Sequence, residues 1–182
     1  MPLLAHEIKE AIAKKRIVVK GYVPENVGPN SLDLRMAPTL FEIHNTTLDL
    51  KKPIDKDLYV REIPESGYVL EPGSLYLGVT REWIGTDHYV QMLEGRSTLA
   101  RYGLTVHITA GVGDIGFKGH WTLEITTVNP IRVYPNMRVA QVIFEPVSTT
   151  NKKPPKILYK SRYSNRFHPV SPKPLLPRSG NI

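Results

Sequence analysis

Residues 94–124, EGRSTLARYGLTVHITAGVGDIGFKGHWTLE, carry an unusual set of reactive groups. They hold the guanidiniums of Arg96 and Arg101, the hydroxyls of Ser97 and Thr98, the imidazole of His107 and the carboxylates of Asp114 and Glu124. Short apolar runs separate them. A stretch serving only a core would not carry so many polar groups, because burying them without partners is costly. The Gly95-Arg96-Ser97-Thr98 turn suits phosphate, Asp114 suits a sugar hydroxyl, and Glu124 suits proton transfer. Together they read as a nucleotide site. Each position also has a plain structural reading when taken alone. Gly-Arg-Ser-Thr could be a surface turn, Glu124 a solvent-facing strand residue, and His107 a hydrogen-bonded structural histidine. Their joint order and spacing favour the nucleotide site.

Composition narrows the chemistry. The chain has 182 residues, enough for one domain with a real core. Its 41% hydrophobic and 23% charged content is that of a globular protein. There is no Cys, which excludes disulfides, thiol nucleophiles and Cys-ligated metal sites. The N-terminal MPLLAHEIKEAIAKKR turns polar within a few residues, and no apolar run approaches membrane-spanning length. A cytoplasmic protein with no membrane partner is expected. The net charge of +7 fits either nucleic acid or a polyanionic small substrate. Because the basic residues form no dense block, a phosphorylated ligand is favoured over a long nucleic acid.

The elements that must position these groups are mostly short strands. Residues 3–15 form an amphipathic helix, with Leu4, Ile8, Ala11 and Ile12 on one face. Strands are expected at 17–19, 31–36, within 39–50, at 58–60, 67–70, 75–80, 89–93, 104–109, 121–126, 131–134 and 138–144. Asn45-Thr46-Thr47 reads as a turn. Asp33 and Arg35 alternate onto one strand face and read as a structural ion pair. Ser97 is placed to cap a short helix over 97–101, whose free N–H groups would attract phosphate. This rhythm indicates an all-β barrel or jelly roll. From Ser148 the prolines and lysines increase and periodicity fades, so residues 149–182 read as an extended arm beyond a domain at 1–148.

The order of EGRSTLARYGLTVHITAGVGDIGFKGHWTLEI, then IRVYPNMRVAQVIFEP, with GPNSLDLRM near the start, resembles the dCTP deaminases. That family shares its fold with trimeric dUTPases. The resemblance implies a mainly β, distorted jelly-roll barrel of the dUTPase-like type, with a short N-terminal helix. It implies a homotrimer with active sites shared between subunits and a C-terminal arm folding over the nucleotide. The implied reaction is hydrolytic deamination of dCTP to dUTP and ammonia. A bifunctional enzyme that continues to dUMP and pyrophosphate, and a plain dUTPase, are the alternatives.

The resemblance also implies roles for individual residues. Glu124 matches the general base, which takes a proton from water attacking C4 and delivers one to ring N3. Arg101 matches an arginine near the reacting centre. Ser97 and the Ala110 carbonyl match groups that position the water. Arg96, Ser97 and Thr98 match the triphosphate binders, and Asp114 the residue accepting from the 3′-hydroxyl. Thr122, Leu123 and Glu124 match the strand that reads the base. Gln141 matches a glutamine of the final strand that contacts phosphate or serves the fold. In the arm, Tyr163 matches a family tyrosine, and Tyr159 is a second candidate. Arg162 replaces a phosphate-binding lysine. Arg166 stands where a base-contacting glutamine is expected, although arginine can only donate hydrogen bonds. Asp114-Ile115-Gly116 replaces the common Asp-Pro-Gly.

A zinc route for nucleobase deamination needs H-x-E and P-C-x-x-C motifs. This sequence has neither, so a zinc-free reaction is expected, with Mg²⁺ accompanying the triphosphate. The rival from another class is a nucleotide-sensing or nucleic-acid-binding relative. Its only support is the basic arm.

Overall fold

Side-chain alternation sorts the apolar residues onto buried faces, and the computed structural model shows how those faces meet. It describes residues 1–43, 47–51 and 58–147. The expected turn at 45–47 lies largely outside them. The arm, with Tyr159, Arg162, Tyr163 and Arg166, lies wholly outside.

Helix α1 spans Ala5–Ala13 and buries Ile8 and Ala11 completely. Leu4 does not join that face. It is the N-cap, with extended backbone, and is 52% exposed, while Leu3 is buried in its place. Successive side chains on extended backbone point opposite ways, so the helical spacing does not reach back to Leu4. The Leu3 N–H donates to the Phe144 carbonyl at 2.9 Å, tying the N-terminus to the last strand.

Twelve strands are present among the described residues. They are β1 (Val18–Lys20), β2 (Leu32–Arg35), β3 (Thr39–Ile43), β4 (Leu58–Glu62), β5 (Tyr68–Leu70), β6 (Leu75–Gly85), β7 (Tyr89–Gly95), β8 (Leu104–Thr105), β9 (Val112–Gly113), β10 (Lys118–Thr127), β11 (Ile131–Val133) and β12 (Arg138–Pro146). The second helix, α2 (Ser97–Arg101), interrupts them where the sequence places it. One sheet runs β4-β3-β6-β10-β8, with β1 also on β6. A second runs β2-β12-β7-β9, and β5 pairs with β11. The mainly β architecture is the one expected.

The two larger sheets share one core. Leu34, Leu93, Val142 and Phe144 from one meet Leu40, Ile84, Leu123 and Ile125 from the other in a single cluster. Each such side chain contributes roughly 1.5–3 kcal/mol when fully buried. On β10, Trp121, Leu123 and Ile125 face this core, and Thr122, Glu124 and Thr126 stand half-buried on the opposite face. Period-two alternation therefore gives that strand one structural face and one face free for chemistry.

Two further expectations about these elements need correction. Asp33 and Arg35 do not pair with each other. Arg35 turns to Glu82 on β6, with Nε donating to Oε1 at 2.6 Å and the backbone N–H to Oε2 at 2.8 Å. The bridge between Met36 and Thr80 brings the end of β2 against β6, which sets a buried carboxylate beside Arg35. The strand expected over 104–109 ends at Thr105. Past it one backbone bond remains, the Glu124 N–H donating to the Val106 carbonyl at 2.9 Å, and the Ile108 N–H then donates to a side chain, Glu124 Oε2, at 3.1 Å.

Candidate active site

The Gly95-Arg96-Ser97-Thr98 turn sits where β7 passes into α2. Gln141 of β12 fixes it from below. Its Nε2 donates to the Gly95 carbonyl at 3.0 Å, and its Oε1 accepts from Ser31 Oγ at 2.9 Å. A trans peptide points its carbonyl and N–H in opposite directions, so holding Gly95 O turns the Arg96 N–H away from Gln141. Arg96 then opens the helix as its N-cap, its carbonyl accepting from the Ala100 N–H at 3.0 Å. The expectation that Ser97 caps the helix is corrected here. Ser97 is the first helical residue, and no side chain caps the end.

That arrangement leaves reactive groups free. Ser97, Thr98 and Arg101 are exposed, and their side chains make no hydrogen bond or ion pair among the described residues. Arg96 is instead held, with Nη2 3.2 Å from Asp33 Oδ2 and Nη1 donating to the Arg138 carbonyl at 3.4 Å.

Glu124 stands on the free face of β10 opposite the segment that follows β8. Its N–H donates to the Val106 carbonyl at 2.9 Å, and its carboxylate accepts from Ile108. One carboxylate oxygen is thereby oriented, and the other carries no partner among the described residues. Thr122 lies two residues back on the same half-buried face. The Leu123 side chain is fully buried in the core, so only its main chain could meet a ligand.

The segment 106–111 links Glu124 to β7. At its far end the Leu93 N–H donates to the Gly111 carbonyl at 2.7 Å. A Cβ on Gly111 would lie 2.6 Å from the Leu93 carbonyl, so the approach requires glycine. Ala110, just before it, is exposed. His107 is within the same segment, its Nε2 3.7 Å from Glu94 Oε2.

Asp114 begins a tight turn before β10. The Phe117 N–H donates to the Asp114 carbonyl at 2.8 Å, and Gly116 takes a φ of 88°, which a type II turn requires of its third residue. Gln91 anchors this turn. Its Nε2 donates to the Phe117 carbonyl at 3.1 Å, and its Oε1 accepts from Trp121 Nε1 at 3.3 Å. The Asp114 carboxylate is exposed, with no partner among the described residues.

The structure thus joins Glu124 to the 106–110 segment, and Arg96 to Gln141 through Gly95. It leaves Ser97, Thr98 and Arg101 exposed on α2 and Asp114 exposed on a separate turn, with no direct bond between Arg101 and Glu124 among the described residues. The sequence paired Asp33 with Arg35 and gave no sign of its contact with Arg138. Asp33 and Arg138 meet each other, with Arg138 Nη1 donating to Asp33 Oδ2 at 3.3 Å, across 105 positions of chain. No local spacing rule reaches that far.

Comparison with known proteins agrees with this picture. The family model for dCTP deaminase-like proteins matches residues 3–147. A protein of Clostridium botulinum (strain Alaska E43 / Type E3) named "dCTP deaminase, dUMP-forming" is 46% identical over 144 residues, covering 79% of this chain and 82% of its own. A Clostridium acetobutylicum protein of the same name is 43% identical over 153 residues, 84% of this chain and 87% of its own. Among solved structures, 2′-deoxycytidine 5′-triphosphate deaminase from Agrobacterium tumefaciens shares the fold, with a TM-score of 0.64 at 22% identity. That match covers 80% of this chain and 48% of the solved one. On the extent of the family match and the identity of these relatives, the chain belongs to the dCTP deaminase-like family.

Proposed function

We propose that this protein hydrolyses dCTP at C4, releasing ammonia, and carries the nucleotide on to dUMP and pyrophosphate. The observation that carries the deamination is the placement of Glu124, a half-buried carboxylate with one oxygen fixed by the Ile108 N–H. A group so oriented suits proton transfer at a ring held against the free face of β10. The sequence alone put dUTP first as the product and dUMP second. The names of relatives 43–46% identical favour dUMP.

In this reading Glu124 takes a proton from the attacking water as oxygen bonds to C4, and passes a proton to N3. It then assists the departing ammonia. Ser97 and the Ala110 carbonyl orient the water, and Arg101 steadies the developing charge. Arg96, Ser97 and Thr98 take the triphosphate, where the planar arginine fork can hold two phosphate oxygens. Asp114 accepts from the 3′-hydroxyl, and Thr122 with the Leu123 main chain faces the base. For the second step, water attacks the α-phosphorus of dUTP and pyrophosphate leaves.

The side chains of Arg101 and Asp114, exposed and without partners among the described residues, fit a site completed by another copy of the chain, as a homotrimer with shared sites would provide. Tyr159, Arg162, Tyr163 and Arg166 of the arm would close over it. Mg²⁺ would travel with the triphosphate. Among the described residues no three His, Asp or Glu side chains stand together to hold it, so its ligands would be phosphate oxygens and water. No described helix is long and apolar enough to cross a membrane.

The test is product analysis. Purified protein is incubated with dCTP and Mg²⁺, and dUTP, dUMP, pyrophosphate and ammonia are resolved over time. Equimolar ammonia, dUMP and pyrophosphate without free dUTP is the expected result. Accumulating dUTP would remove the second step, and turnover of dUTP alone would remove the first.

A further inference from the structure

The Asp33–Arg96–Arg138 cluster is more than a sheet cross-link would require. Asp33 Oδ2 receives two guanidiniums at once, Arg96 at 3.2 Å and Arg138 at 3.3 Å. The same Arg96 reaches the Arg138 carbonyl. Among the described residues one carboxylate faces these two arginines, which leaves a positive charge uncompensated there. A guanidinium has five N–H donors, and the described partners use one from Arg138 and two from Arg96. The Arg138 side chain is 49% exposed and Arg96 28%, so spare donors can reach a ligand, while the Asp33 carboxylate is 14% exposed.

The cluster also has a defined place. Asp33 on β2 is paired in register with Gln141 on β12, which is in register with Glu94 on β7. Gln141 holds Gly95, the residue before Arg96. The free hydroxyls of Ser97 and Thr98 follow at once. Two like charges would separate if nothing held them, and an exposed ion pair alone contributes little. A buried-side carboxylate that gathers both arginines at the edge of this turn points to anion binding.

We infer that Arg138 is a further phosphate-binding residue, held beside Arg96 by Asp33, so that the two arginines form one clamp for the polyphosphate chain. The inference rests on the reading of Arg96, Ser97 and Thr98 as phosphate ligands. Asp33 acts through the arginines and is a positioning residue. Two guanidiniums side by side favour a chain of phosphates over a single one, so the clamp discriminates triphosphate from monophosphate.

The test uses inorganic tripolyphosphate as the probe, which requires no deamination. Its Kd is measured by calorimetry, with thermal melting as a check on folding. Arg138→Gln is expected to weaken tripolyphosphate about tenfold or more, raise KM for dCTP similarly and leave kcat within about threefold. Arg138→Lys restores part of the loss, because a point charge replaces the fork. Asp33→Asn weakens binding too, and its effect adds little to that of Arg138→Gln, as expected for residues in one network. Unchanged Kd and KM in a folded Arg138→Gln protein would overturn the clamp. If that variant does not fold, arginine-selective modification of the wild type decides: tripolyphosphate should protect Arg138, and equal modification with and without it overturns the inference. Protection without dCTP turnover would keep the clamp and remove the deaminase reading. Turnover without protection would do the reverse.

Discussion

Replacing Gln141 by methionine separates the turn's support from its chemistry. The side chain keeps its length but loses the donation to Gly95 O at 3.0 Å and the acceptance from Ser31 Oγ at 2.9 Å. At roughly 0.5–1.5 kcal/mol per bond, the pair accounts for about 2 kcal/mol. In a domain of this size 1 kcal/mol moves Tm by about 2–4 °C, so a fall of about 4–8 °C is expected. The Gly95 carbonyl, no longer held, lets the Arg96 peptide turn, and the groups proposed to bind phosphate lose their common orientation. A loss of about 1.4 kcal/mol in binding is tenfold, so KM for dCTP should rise by at least about that factor. Gln141→Glu is the control. It still accepts from Ser31 but cannot donate to Gly95, and should lower Tm less than methionine while raising KM as much. Calorimetric melting and steady-state kinetics on the same preparations give both numbers. If Tm falls and KM stays at the wild-type value, Gln141 supports the sheet and the turn does not bind phosphate. If neither moves, the two Gln141 hydrogen bonds contribute nothing measurable to stability or binding.

Other perturbations probe the frame. Glu82 is 1% exposed and holds Arg35 by two hydrogen bonds. Glu82→Leu should destabilise by about 3 kcal/mol, the lower part of the range for breaking a buried pair because Arg35 is partly exposed. Denaturant melts of that variant and of Glu82→Leu/Arg35→Met, which should recover much of the loss, check it. His120 is held below the ordinary histidine range, first by burial, while its Nδ1 faces the Thr80 carbonyl at 2.9 Å. Its folded pKa is depressed, so the unfolded chain binds the proton more readily. Stability should fall as pH drops below about 6.5. His120→Asn, which keeps a donor for that carbonyl, should flatten this part of a Tm–pH profile.

The sequence revealed elements better than contacts. The bounds of α2 were legible because a turn-type Gly-Arg-Ser-Thr interrupts two apolar strands. The face of β10 was legible from strict alternation, which put Glu124 opposite the core. The partners of Asp33 and Arg35 were not. Two charges at i and i+2 look paired on paper, but β2 lies between β6 and β12 in space, and each supplies a better partner. The strand over 104–109 was overestimated because Glu124 itself intercepts the Ile108 N–H. In that case the feature that broke the pattern was the candidate site.

In the proposed reaction Glu124 carries the proton chemistry without a transition metal. Chelator-treated protein in Mg²⁺ buffer should release ammonia from dCTP. Glu124→Gln should lose about two to four orders of magnitude in kcat. Its melting temperature should stay within a few degrees, since the glutamine carbonyl can still accept from Ile108. A Glu124→Gln protein that deaminates dCTP at the wild-type rate would contradict the account.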